Sequence, residues 1–137
     1  RSVSRGLGDV YKRQELSVFD EAKTKIASVI FATIQDRQKR RILSIRDQNN
    51  FAEAFRQKRL MTLMQLFLIH RYKSTSVHYV SPNENNQRQT IRMKDLGIFD
   101  EVNTEIGQII VASVNVDYVK RLVDPEKVEL KKLISKN

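Results

Sequence analysis

The chain has 137 residues, 40% of them hydrophobic and 30% charged, with 25 lysines and arginines against 16 acids and a formal net charge of +9. It contains no cysteine, which excludes disulfides, a thiolate nucleophile and a cysteine-based metal site. The longest mostly apolar run, Leu60–Ile69, is interrupted by Thr62 and Gln65 and is too short to span a bilayer, so a single cytoplasmic domain with one core is expected.

At the start, Ser4–Gln14 (SRGLGDVYKRQ) resembles the translation of a sequencing-library adapter. Residues 1–14 are therefore set apart as a non-native scar expected to be disordered, and residues 15–137 are read as one domain, the C-terminal fragment of a longer chain. Arg1, Arg5, Lys12 and Arg13 against Asp9 give that segment +3, leaving +6 for the remainder. Such a charge suits polyanions or phosphorylated ligands, and it is also ordinary for a surface whose cations are scattered among acids.

From Glu15 to Lys25, acids and lysines mixed with Leu16, Val18, Phe19 and Ala22 suggest a short helix. Ile26–Ile34 is rich in β-branched residues, Gln35–Lys39 is a polar cluster and Arg41–Arg46 alternates, a pattern that predicts a hairpin; the competing reading is one helix over Val18–Gln35. Asp47–Phe55 reads as a polar connection anchored by Phe51 and Phe55. A helix is predicted from about Gln57 to Tyr72, with Leu60, Leu63, Met64, Phe67 and Leu68 on one face. Val77–Val80 is a short strand ended by Ser81-Pro82-Asn83, since proline cannot donate to a ladder. Helix resumes over Glu84–Leu96 with Ile91 and Leu96 inward, Met93 bordering them, and Gly97 as the stop. Glu105–Val114 is the strongest strand, its IIVA centre suggesting burial on both faces. Asn115–Val123 and Glu126–Ile134 read as helical, the latter capped by Asp124 with Pro125 at the first helical position.

The organising stretch is Arg56–Phe99, in which a helix joins two strands of one sheet. Such a crossover is right-handed and makes the strands parallel, and ligands of these units bind where strand ends meet a helix start. The expectation is a slot between Arg41–Arg46 and Val77–Val80 with a positively charged helix start at its mouth.

Two segments within it, Val80-Ser81-Pro82-Asn83-Glu84-Asn85-Asn86 with Met93-Lys94-Asp95-Leu96-Gly97-Ile98-Phe99, and upstream Arg56-Gln57-Lys58-Arg59-Leu60-Met61, resemble signatures of the GNAT acyl-CoA-binding superfamily. The resemblance covers about a third of the chain and implies an α/β (α+β) fold, a mixed sheet with helices on both faces. The second segment falls where that family carries Q/R-x-x-G-x-G/A, the loop that cradles the CoA pyrophosphate. Arg59 and Met61 replace its small residues, and Met93 stands where the acetyltransferases place a tyrosine acid, a role a thioether cannot fill. The acyl-CoA motifs are thus degenerate. The longer string RLMTLMQLFLIHRYKSTSVHYVSPNENN…MKDLGIFDEVNTEIGQIIVASVN…VDPEKVELKKLI also resembles the C-terminal accessory domain of type 2 isocitrate lyases. That resemblance implies a regulatory domain with acetyl-CoA or propionyl-CoA as effector, a catalytic lyase domain of the same chain as partner, and a homo-oligomer built by the missing portion.

The residues it carries over as CoA-binding are Arg56, Gln57, Lys58, Arg59, Leu60, Met61, Asn85 and Asn86. Read on their own, Arg56, Lys58 and Arg59 are either a phosphate contact or a solvated basic turn, Asn85 and Asn86 either hydrogen-bond a pantetheine arm or cap the next helix, and Met61 is core filler. His70 and His78 have no third ligand at metal spacing. The other readings are a catalytic N-acetyltransferase with a displaced acid and a basic nucleic-acid-binding module, whose affinity would fall steeply with salt.

Overall fold

In a computed structural model the structure describes residues 9–10, 13–51, 60–106 and 108–123. Among these residues, seven strands of one mixed sheet and three helices follow in the order β1 (Asp9–Val10), β2 (Gln14–Phe19), β3 (Lys25–Gln35), β4 (Arg41–Asn50), α1 (Leu60–Tyr72), β5 (Ser76–Val80), α2 (Glu84–Asp95), β6 (Phe99–Ile106), β7 (Ile109–Val114) and α3 (Val116–Leu122). The spatial order is β1-β3-β4-β5-β7-β6, with β2 also lying along β3. The expected mixed α/β class is what the chain adopts.

The hairpin wins over the long helix: β3 and β4 pair antiparallel from Gln35–Arg41 to Ala27–Asn50. Asp36 closes the turn by accepting the Gln38 and Arg40 N–H groups at 2.9 and 2.8 Å and the Arg40 Nε–H at 2.7 Å. The helix expected over Glu15–Lys25 is instead β2 and a turn, because Leu16 and Val18 alternate and pack on the core while main-chain groups pair with β3. Asp9, Val10 and Gln14, set apart as foreign, are also strand-paired with β3; main-chain groups pair along an open edge regardless of provenance.

The crossover β4–α1–β5 is parallel, with Leu43 opposite Val77 and Ile45 opposite Tyr79. β5 and β6 are each antiparallel to β7, so they are parallel to each other and α2 is a second crossover. Two right-handed crossovers stepping the same way put their helices on one face. Tyr79 touches both: its hydroxyl meets Gln65 of α1 and Met93 of α2. α3 joins this layer against α1, and Val119 and Leu122 complete the core formed with Phe31, Leu43, Val77, Tyr79 and Ala112. A helix on the opposite face is not among the described residues; the helix expected at Glu126–Ile134 lies outside them.

Several inward assignments are corrected. Phe67 is 52% exposed and Ile91 59%, while Gln65, Thr90 and Met93 are fully buried. α1 is apolar on nearly every side, so periodicity could not pick its outer stripe, and α2 turns Thr90 and Met93 to the sheet. Asp47–Asn50 extend β4, and Phe51 is exposed rather than an anchor, with Phe55 outside the described residues. The run Glu105–Val114 is two strands: Glu105 and Ile106 end β6, and β7 buries Ile110, Ala112 and Val114 on one face only. β6 is an outer strand, irregular between Phe99 and Glu101 and again between Asn103 and Ile106, with Asp100, Glu101 and Thr104 exposed.

Gly97 ends α2 at φ +88, the left-handed region, and a Cβ there would stand 3.2 Å from Tyr118 Cε2. Replacing it by alanine forces an L-residue into that region against an aromatic ring, so Gly97→Ala should cost about 1–2 kcal/mol in urea denaturation. A variant as stable as the parent would contradict the assigned conformation.

His78, partly buried on the face of β5 away from the helices, is held below its ordinary value of 6.5 by desolvation. Below 6.5 the unfolded chain takes up a proton that the folded imidazole still refuses, so stability falls as pH drops from 6.5 to the folded value, then levels. That loss begins above the carboxylate window, where Glu15, held low by its hydrogen bond from Lys25, opens at 4.5. Denaturation midpoints measured across pH 6.5 should show the loss in the parent and not in His78→Gln.

Candidate functional site

The parallel ladder between β4 and β5 ends at the Ile45–Tyr79 pair. On the other side of β4, Phe31 faces Ile45 and Ile30 faces Asp47, so Arg46 is the extra residue of a β-bulge. Bulges bend a strand and sharpen its twist. β4 then follows β3 to Asn50, whereas β5 ends at Val80 and the chain leaves through Ser81, at φ 51, and Pro82. The strands part, and a cleft of about 400 Å³ opens between them, lined by Arg46, Asp47, Gln48 and Asn50 of β4, Met61 and Thr62 at the start of α1, and Asn85, Asn86, Arg88, Gln89 and Arg92 of α2.

A slot is therefore present where the strands part, and the described charges that line it are those of Arg46, Asp47, Arg88 and Arg92. Arg56, Gln57, Lys58 and Arg59 lie outside the described residues. Arg46 and Arg92 have no carboxylate in ion-pair range among the described residues. Arg88 donates to Asn85 Oδ1 and has Glu84 Oε2 at 3.8 Å. The Asp47 carboxylate accepts from the Gln48 N–H at 2.9 Å and from Asn49 Nδ2 at 3.3 Å. The lining carries three guanidinium groups against the Asp47 carboxylate, with Glu84 beside Arg88, a cationic excess that suits an anion.

Of the other residues singled out in the sequence, Met61, Asn85 and Asn86 line the cleft, and Leu60 is half-buried at the start of α1 beside it. Asn86 is committed to the α2 cap: its Oδ1 accepts the Asn83 N–H at 2.9 Å, and Asn83 Oδ1 accepts the Asn86 N–H at 2.9 Å. This reciprocal box satisfies two main-chain donors of the helix start. Arg46, Gln48, Arg88 and Arg92 were not found by sequence reasoning. The spacing of Arg88 and Arg92 on one face of a predicted helix was a usable signal, whereas Arg46 faces the cleft only because of the bulge.

Beneath the cleft lies a buried amide. Gln65 Nε2 donates to Gln48 Oε1 at 2.6 Å and to Gln89 Oε1 at 2.9 Å, and Gln65 Oε1 accepts the Tyr79 hydroxyl at 2.5 Å. The other end of the Gln48 amide, Nε2, is buried without an acceptor among the described residues. Burial raises the Tyr79 pKa far above 10, so the phenol stays protonated and serves as a donor. Met93 Sδ, fully buried 4.0 Å from that hydroxyl, offers no proton. Nor do the described residues contain a His, Cys, Asp or Glu group that could hold a metal, or a helix long and apolar enough to cross a membrane.

No protein-family model matches the chain. Over 122 residues, 89% of its length, it is 53% identical to isocitrate lyase 2 of Mycobacterium tuberculosis (strain ATCC 35801 / TMC 107 / Erdman) and of Mycobacterium bovis (strain ATCC BAA-935 / AF2122/97), covering 16% of each. A shorter Mycobacterium tuberculosis chain (strain ATCC 25618 / H37Rv), provisionally named as a subunit of isocitrate lyase, matches over 122 residues at 53% identity, 31% of its length being covered. The chain thus matches a part of isocitrate lyase 2 and spans between 16% and 31% of the length of these curated relatives. Among solved structures, a protein of unknown function from Aquifex aeolicus VF5 aligns over 96% of this chain and 84% of its own at a TM-score of 0.34 and 8% identity.

The buried Gln65–Tyr79 pair can be measured directly. Gln65→Leu and Tyr79→Phe each strand a buried polar partner and should each cost about 1–3 kcal/mol in chemical denaturation. Because they remove the same bond, the double variant should cost less than the sum, by at least about 0.5 kcal/mol. Strict additivity would show that the two groups do not interact.

Proposed function

We propose that this chain, which matches a part of isocitrate lyase 2, is an acyl-CoA-responsive regulatory domain of an isocitrate lyase, with acetyl-CoA or propionyl-CoA as effector. Conversion of isocitrate to glyoxylate and succinate then belongs to the remainder of the longer chain, which also builds the cytoplasmic homo-oligomer. The observation that carries the reading is the parting of β4 and β5 at Arg46, which creates an arginine-lined cleft between two strands and two helix starts.

The residues present suit such a ligand. Arg46, Arg88 and Arg92 supply forked donors for phosphate oxygens. Gln48 Nε2, buried and without an acceptor among the described residues, suits an amide carbonyl of the pantetheine arm. A volume of about 400 Å³ holds part of a CoA thioester rather than all of it, and sits toward the lower end of the roughly 300–1,000 Å³ usual for small-molecule sites. When bound, the acyl-CoA supplies binding energy that differs between two states of the enzyme, which is what an effector requires. The N-acetyltransferase reading is less well supported, because the one phenol lining the cleft among the described residues, that of Tyr79, is buried and committed to Gln65.

Acetyl-CoA at about 100 times its dissociation constant should add roughly 2.7 kcal/mol of stability, several degrees in melting temperature for a domain of this size. The double charge reversal Arg46→Glu with Arg92→Glu should abolish the shift in scanning calorimetry. A parent chain that does not respond, or a shift that survives the reversal, would retire this cleft as the acyl-CoA site.

A further inference from the structure

A second cavity, of about 390 Å³, lies at the opposite end of the β4–β5 ladder, where both strands begin. α1 ends there: Lys73 turns in the left-handed region at φ 53, its N–H donating to the His70 carbonyl at 3.2 Å, and the Ser74 N–H donates to the Ile69 carbonyl at 3.0 Å. These bonds use the main-chain donors of the turn and leave the Ser74 side chain over. Ser74 is only 3% exposed, it lines the cavity, and its Oγ has no hydrogen-bond partner among the described residues. A buried hydroxyl in that position is normally satisfied, so the pattern calls for an acceptor from outside the described residues.

The charges around it say what kind of acceptor. Arg41, Arg71 and Lys73 line the same cavity, and none has a carboxylate in ion-pair range among the described residues. The carboxyl end of α1 offsets about half an elementary charge, leaving a clear cationic excess. Arg71 is held in place with its guanidinium 5.3 Å from the centre of the Tyr72 ring, which packs on Phe31 with centroids 5.6 Å apart. We propose that this cavity binds a small phosphomonoester, its phosphate held by Arg41, Arg71 and Lys73 and accepting a hydrogen bond from Ser74 Oγ. A phosphate carries nearly two negative charges and several acceptor oxygens, which matches three cations and a hydroxyl better than the single charge of a carboxylate does. The cavity is also larger than inorganic phosphate needs, which leaves room for an organic body against Tyr72.

The site shares no residue with the acyl-CoA cleft and does not depend on that reading. The test is a proton–nitrogen correlation titration of the chain with inorganic phosphate and with AMP, ionic strength matched by sodium chloride. Saturable shifts at Lys73, Ser74 and Thr75, absent with chloride, are expected from both probes, with AMP tighter. Equal affinity for the two would still support the site and assign it to free phosphate. Ser74→Ala removes one hydrogen bond to a charged acceptor and should weaken binding about tenfold or more, and Arg41→Glu should abolish it. Arg46→Glu with Arg92→Glu should leave it unchanged. Shifts that never saturate, shifts confined to the Arg46–Arg92 cleft, or a Ser74→Ala chain that binds as the parent does, would each overturn the proposal.

Discussion

One side-chain amide sets the distance between four elements. Gln65, fully buried, gives its two N–H bonds to β4 and α2 through Gln48 and Gln89, and its carbonyl to β5 through Tyr79. Two parallel strands that part leave a gap, and an apolar side chain filling it would have no preferred direction. Hydrogen bonds of fixed length in a low-dielectric interior hold the separation instead, at a heavy cost if any one of them is left unmade. The cleft above Gln65 is therefore a property of the core as much as of the bulge at Arg46.

Much of this architecture is legible in the chain. Alternation over Arg41–Arg46, the Asp36 turn, the helix joining parallel strands and the Gly97 stop are all local signals that agree with the tertiary arrangement. The failures share a cause. β2 and β6 carry polar residues at alternate positions and have a partner on one side only, so their apolar content is too thin to distinguish from a loop or a short helix. α1 is nearly surrounded, by the sheet on one side and α3 on another, so Phe67 looks no different in sequence from its buried neighbours. The site was half legible. Asn85 and Asn86, carried over from the acyl-CoA resemblance, line the cleft, but Arg46 enters through a one-residue irregularity that alternation cannot register.

Met61 shows what the departures from the acyl-CoA signature do physically. At a position where the resembling family keeps a small residue, its side chain is buried in the core and also borders the cleft. In the proposed binding mode the main chain no longer has the place for close approach at that position, and guanidinium groups on β4 and α2 take over the anion. Contacts made by long exposed side chains are screened by salt more than buried main-chain donors are. An effector held this way is released readily as ionic strength rises, a suitable property for a reversible signal.

The rim strand β6 has a consequence for how the domain behaves in company. Its two register irregularities interrupt the straight run of main-chain groups that a neighbouring molecule would need as a template, and the carboxylates of Asp100 and Glu101 repel an identical edge brought alongside. A sheet of seven strands that ended flat would invite ribbon growth from molecule to molecule. At β6 this one ends instead in a kinked border with exposed carboxylates, which opposes edge-to-edge pairing along that strand.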